Sequence, residues 1–149
     1  MLNDQIKLMG NLDITVLNSD GQVKEQRSEK NLVVTAGLGF IASRMEGTSD
    51  AVMSHMAVGS GSTAADAGDT DLGSILGSRE ALDSTTVSGA TVTYVSSFEA
   101  GDGTGAITEA GIFNASSGGT MLCRTVFSTV NKAADDTMTI TWTITLSAS

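Results

Sequence analysis

At 149 residues, 40% hydrophobic and 17% charged, the chain is large enough for one domain that buries a core without staples. Its net charge of −9 excludes binding to nucleic acid by phosphate neutralisation. A single cysteine, Cys123, excludes an internal disulfide framework, and no apolar run reaches the ~20 residues of a membrane-spanning helix.

The opening residues, MLNDQIKLMG, are too polar for a signal peptide and show no clear period. They are expected to form an N-terminal arm, residues 1–11, that orders only on a partner through Leu2, Ile6, Leu8 and Met9. Residues 12–149 are then a single domain. Leu12, Ile14 and Val16 alternate as one face of a strand, and Ser19-Asp20-Gly21 is a hairpin turn because Asp-Gly tolerates positive φ. Residues 22–27 return as a polar edge strand whose charges discourage stray pairing.

Between Asn31 and Met45 the period changes. Leu38, Ile41, Ala42 and Met45 fall at helical spacing, with Thr35 as N-cap and Gly47 as the stop. Residues 53–58 (MSHMAV) read as a short strand, and Gly59–Gly73 as a surface loop rich in Gly, Ala and Asp. Residues 78–87 and 90–98 pair as strands across Ser88-Gly89, and Gly101–Gly105 is a tip. Two further strands, 107–114 and 120–127, flank the turn 115–119, and their blurred alternation suggests burial on both faces. Residues 128–136 read as a polar loop.

The last stretch, Thr137–Ser147, carries the cleanest pattern. Met138, Ile140, Trp142, Ile144 and Leu146 alternate with Thr or Ser, giving one apolar and one hydroxylated face. A helix would scatter the same residues over its whole surface. At ~3.3 Å per residue the strand spans roughly 35 Å. Trp142, Ile140, Ile144, Tyr94 and Phe98 are the expected core anchors. About eight strands at this spacing give a mainly β fold: a two-sheet antiparallel, jelly-roll-like sandwich with one short helix.

Site chemistry is sparse. Gly59-Ser60-Gly61-Ser62 lacks the lysine and the strand–glycine–helix setting of a phosphate loop. Asp66, Asp69 and Asp71 do not match calcium-loop spacing, so a solvated acidic loop is expected rather than a cation site. His55 is the only histidine, which argues against a metal centre or a triad and for a structural or interface role. Glu99 and Glu109 form a carboxylate pair only if the fold brings them together, and Cys123, in MLCRTVF, reads as a small buried hydrophobe. No enzyme, cofactor or metal is expected. The charge is partitioned: residues 46–109 hold ten acids against Arg79 alone, while both ends are neutral. Neutral ends suit docking, and an acidic middle suits solvent.

Three blocks carry a resemblance: NLVVTAGLGFIASRM (31–45), MSHMAVGSGSTAADAGDTDLG (53–73), and ITEAGIFNASSGGTMLCRTVF with TITWTITL (107–146). Together they resemble a family of small virion proteins of tailed bacteriophages, labelled capsid decoration (cement) proteins or tail-fibre and baseplate-associated proteins. The resemblance implies an antiparallel β-sandwich used for assembly, made in the host cytoplasm and carried on the capsid surface. The implied partners are the major capsid protein and copies of the chain itself, as dimer or trimer, with no nucleic acid and no membrane. A tail-fibre or baseplate module is the alternative. A carbohydrate-binding, lectin-like module is a third reading, because jelly rolls often bind sugars.

Overall fold

The computed structural model describes residues 5–47 and 50–148. Nine strands and one helix follow in the order β1 (Ile6–Leu17), β2 (Val23–Val33), α1 (Thr35–Met45), β3 (His55–Gly59), β4 (Glu80–Ala81), β5 (Ser84–Ser88), β6 (Thr91–Phe98), β7 (Gly105–Phe113), β8 (Met121–Lys132) and β9 (Thr137–Ala148). All pairings are antiparallel, in the spatial order β4-β3-β7-β8-β2-β1-β9-β6-β5.

β9 is central to one half of this sheet. It pairs with β1 along its whole length, from Leu17↔Thr137 to Ile6↔Ala148, and with β6 from Phe98↔Met138 to Thr91↔Thr145. Its alternation is realised: Met138, Ile140, Trp142 and Ile144 are buried, and the intervening threonines are not. Leu12, Ile14 and Val16 of β1 lie opposite them and are completely buried. Phe98 is also fully buried, and Tyr94, directly across from Trp142, is partly buried, which pushes its hydroxyl up to about 12.

The separate two-sheet jelly roll expected from the sequence is not confirmed by the pairing. β2 meets β8 only at Leu32↔Arg124 and Val33↔Cys123, yet this short junction joins both halves into one curled half-barrel. Beyond the junction the strands part, and Arg27 crosses the gap. Its guanidinium donates to the Ser128 carbonyl (2.9 Å) and hydroxyl (2.8 Å) while pairing with Glu25 and Glu29. The polar strand expected at 22–27 therefore exists as part of β2, with its charges placed along a loosened edge. At the other side only Leu82 and Asp83 separate β4 from β5, so one short step takes the chain from one edge of the sheet to the other. Ser96 Oγ donates to the Ala81 carbonyl (3.2 Å) and Asp83 N–H to the Val95 carbonyl (2.7 Å) across that seam.

Three local readings are corrected. Ile6–Asn11 are not an arm: they form the first half of β1, held by β9 at the far end of the chain. Leu2 lies outside the described residues. The strand expected over 78–87 is two strands, and the loop expected over 128–136 is strand as far as Lys132, whose buried Nζ donates to the Glu99 carbonyl (2.9 Å).

The helix sits where its spacing placed it, but with another face inward. Leu38, Ala42 and Met45 are exposed, whereas Gly37 is buried and Phe40 and Ile41 pack on the core. Gly37 decides this. Its Cα rides on the Leu122 carbonyl of β8 so closely that any Cβ would overlap it. Thr35 is the first helical residue rather than the cap. Val34 takes that position without a side-chain bond, and Thr35 N–H donates to the Ala67 carbonyl (2.8 Å).

β7 and β8 are buried on both faces over Glu109–Phe113 and Met121–Thr125. The concave side meets the main core. The other side forms a satellite core of Val34, Ala57, Phe113 and Met121, covered by Leu72 from the 60–79 loop and Ala36 from α1. A layer on each face explains why alternation fails there in the sequence.

Candidate functional site

Two regions stand out: a buried polar clamp under the 60–74 loop, and an exposed groove at the N-terminal end of β1.

The clamp is built on Glu109 of β7, which is wholly buried. Its Oε2 accepts N–H bonds from Gly61 and Ser74 at 2.7 Å each, and its Oε1 accepts one from Gly73 at 2.7 Å. Arg124, across the strand pair on β8, donates to the same Oε1 from Nε (3.1 Å) and Nη2 (2.9 Å). Arg124 also donates to Asp69 (2.8 Å) and to the Thr63 carbonyl (3.1 Å). Thr108 Oγ1 adds a bond to the Gly61 carbonyl (2.8 Å).

The glycines of GSGS thus do what glycine-rich loops do for phosphates, but the anion is the chain's own. A Cβ on Gly61 would overlap the Glu109 carboxylate, so only glycine lets the backbone approach. Burial pushes the Glu109 carboxyl up, but the N–H groups of Gly73 and Ser74, Arg124 and Gly61 outweigh it and hold the group below its ordinary 4.5. Asp69 is likewise pushed up by burial and pulled below its ordinary value by Asp66 N–H and Arg124.

These shifts set a pH dependence. A carboxyl held low in the folded state contributes stability that is complete above its unfolded value and lost as pH falls through its folded one. Glu109 and Asp69 both act in this direction, as does Asp136, held down by Lys24 at 2.5 Å and by Ala133 N–H. Glu80, raised by burial and by Asp102, acts oppositely and offsets a part. The urea midpoint is therefore expected to stay nearly level from about pH 7 to 5 and to fall steeply below about 4.5. Glu109→Gln should shallow that fall. An acid limb identical in the variant would show that the clamp contributes none of it.

The remaining sequence candidates occupy structural positions. Glu99 does not join Glu109; its carbonyl receives Lys132. The three aspartates diverge: Asp69 to Arg124, Asp71 to Arg79 (3.7 Å), and Asp66 to Gly68 N–H (2.8 Å). Among the described residues no three His, Cys, Asp or Glu side chains gather where they could hold a metal ion. His55, the first residue of β3, has its Nδ1 2.7 Å from the hydroxyl of the preceding Ser54. Cys123 is fully buried, which pushes its thiol well up. Arg79, not singled out by the sequence, lies 3.6 Å over the Phe113 ring and donates to the Ala115 and Gly118 carbonyls (2.8 Å each), fixing the 115–119 turn.

The groove lies on the outward side of β1, β2 and β9. Met9 faces Thr145, and Asn11 faces both Thr143 and Lys30. These residues bound a depression of about 490 Å³. Met9, its exposed apolar side chain, is 50% accessible, while Ile6, 76% accessible, lies at the strand end on the opposite face of β1. Leu8 points away from Met9 and packs on the core. Of the four residues expected to meet a partner, the structure thus offers two, Ile6 and Met9. Beside them Asn31 has both polar side-chain atoms buried without a bond to any described residue.

No family model, curated protein or solved structure matches this chain.

Proposed function

We propose that this chain is a structural protein of a tailed-phage virion, a decoration protein that binds the outer surface of the capsid shell and bridges neighbouring subunits of the major capsid protein. It is made in the host cytoplasm, functions on the virion surface, and associates with copies of itself. The sequence blocks quoted above suggest the class, and the two-layer packing of the curled sheet suits a rigid assembly module. The observation that carries the reading is an exposed Met9 in a groove lined by Thr143, Thr145, Asn11 and the single charge of Lys30, with Ile6 exposed on the other face of the same strand end, at the neutral end of a chain whose acids cluster elsewhere. Weak contacts suffice for a cement protein, because each further contact on the shell is effectively intramolecular.

The lectin-like alternative is weakened by the aromatic residues. Trp142, Phe98 and Phe113 are completely buried, Phe127 is nearly so, and Tyr94 and Phe40 are packed against the core. No described aromatic ring forms an exposed platform for a sugar.

Antibody labelling of virions in negative stain should decorate the head. Label confined to the tail would replace this reading with the tail-fibre or baseplate one. The double variant Ile6→Glu, Met9→Glu is expected to keep its folding stability within about 1 kcal/mol and to lose binding to purified shells. Undiminished binding would move the contact elsewhere.

A further inference from the structure

The acidic middle of the chain contains an uncharged strand with no described strand paired on its outer side. β5, Ser84–Ser88, pairs with β6 along one edge only, and all of its residues are exposed. Unpaired edges are usually blunted by charge, proline, a bulge or a covering segment. The rest of this sheet follows that rule: β4 is two residues long and lies against β6, and the loosened edge of β2 is crossed by Arg27. Among the described residues β5 has none of these devices. Its nearest acid, Asp83, is drawn back by the Ser97 hydroxyl at 2.5 Å.

An apolar patch adjoins the edge on its inward side. Val87 is 68% and Val52 60% exposed, and together with Phe40, Met53, Val92 and Tyr94, and with Thr85 and the one charged residue Arg44, they bound a depression of about 350 Å³. A strand added to β5 would lay alternate side chains along this patch.

We propose that the strand added there is β5 of a second copy, in an antiparallel two-fold pair centred on Thr86. Ser-Thr-Thr-Val-Ser reads nearly the same in both directions, so the edge complements itself. In that register Thr85 lies opposite the partner's Val87, Ser84 opposite the partner's Ser88, and Asp83 opposite the partner's Gly89. No carboxylate of the strand therefore faces another across the axis, and the net charge of each copy is screened at physiological salt. The two exposed Val87 side chains and the patches beside them become continuous. A contact this short makes a weak dimer, in the micromolar range, that becomes useful when copies are held together on a scaffold. The pairing deepens the self-association proposed above, and its test uses the free protein, so it fails or stands separately from capsid binding.

Sedimentation of the whole chain should show a monomer–dimer equilibrium, with Val87→Lys raising the dissociation constant about tenfold or more. Val87 is exposed, so the variant should fold, and its unfolding midpoint verifies this. In the proposed register the two copies of residue 86 are directly opposite, with Cβ atoms about 5 Å apart. Thr86→Cys should therefore form a disulfide-linked dimer under mild oxidation. Thr93→Cys should not, because Thr93 faces Thr86 from β6, one strand away from the edge. Cys123 is fully buried and should not interfere. A strict monomer up to about 100 µM would overturn the proposal. So would a dimer unaffected by Val87→Lys, or equal cross-linking at positions 86 and 93.

Discussion

Replacing Trp142 with alanine is expected to lower folding stability by ~3–5 kcal/mol, among the largest losses of any single substitution in this chain. The indole is completely buried, set between Leu12 on β1 and Tyr94 on β6, so truncation leaves a cavity in the strand that both neighbours depend on. Relaxation is restricted because β9 is paired along both edges. One detail separates the loss of volume from the loss of a polar contact. The indole N–H has no hydrogen-bonding partner among the described residues, and a buried donor without one is itself a cost of about 1–3 kcal/mol. Trp142→Phe should therefore cost much less than Trp142→Ala, because it removes the unpaired donor together with part of the ring. Urea denaturation of both variants measures the difference. Equal losses would mean that the N–H is satisfied in solution, and an alanine cost under about 1 kcal/mol would place the ring outside the core.

The second large effect is expected at Glu109. Glu109→Ala strips the carboxylate from three backbone N–H groups and leaves the Arg124 guanidinium with only Asp69 and the Thr63 carbonyl. Removing one member of a buried pair costs about 3–5 kcal/mol because the survivor is left desolvated. Replacing both members together, Glu109→Leu with Arg124→Met, should cost less than the sum of the single changes. The geometry adds a sharper expectation. The emptied site keeps an arginine and convergent N–H donors, so formate or acetate should partly restore the Glu109→Ala variant, with the midpoint rising with anion concentration. Chloride at equal ionic strength should do less. Rescue by neither carboxylate would mean that the loop collapses once Glu109 is gone. Local amide exchange would then show residues 60–74 opening before the sheet.

The two substitutions probe different kinds of information. Trp142 was legible because its environment is written locally: five apolar residues at period two need only the strand geometry to share a face. The same holds for Leu12, Ile14 and Val16, and for the turn at Asp20-Gly21. There the structure adds Asn18, whose carboxamide oxygen accepts from Asp20 and Gln22 N–H. Glu109 was not legible. Its partners lie 15, 35, 36 and 48 positions away, and no local pattern marks a carboxylate that will meet a distant glycine loop. The one available signal was the GSGS stretch itself, a backbone suited to an anion, with no external anion implied by its surroundings.

The N-terminus and the helix show the same division. Ile6–Asn11 read as an unpatterned arm because the strand that completes them, β9, lies at the opposite end of the chain. For α1 the 3.6-residue period located the helix, yet the inward face was set by Gly37, whose missing side chain allows close approach to β8.

By itself, the sequence determined the strands whose period-two alternation is clean, their inward faces where only one face is covered, the turn at Asp20-Gly21, and the uneven distribution of charge, because each depends on residues a few positions apart. The tertiary structure alone decided that the halves join into one curled sheet, which carboxylate is clamped, and which strand edge stays open. Those outcomes depend on which distant backbone groups find one another, and pairing between remote segments leaves no periodic trace in the chain.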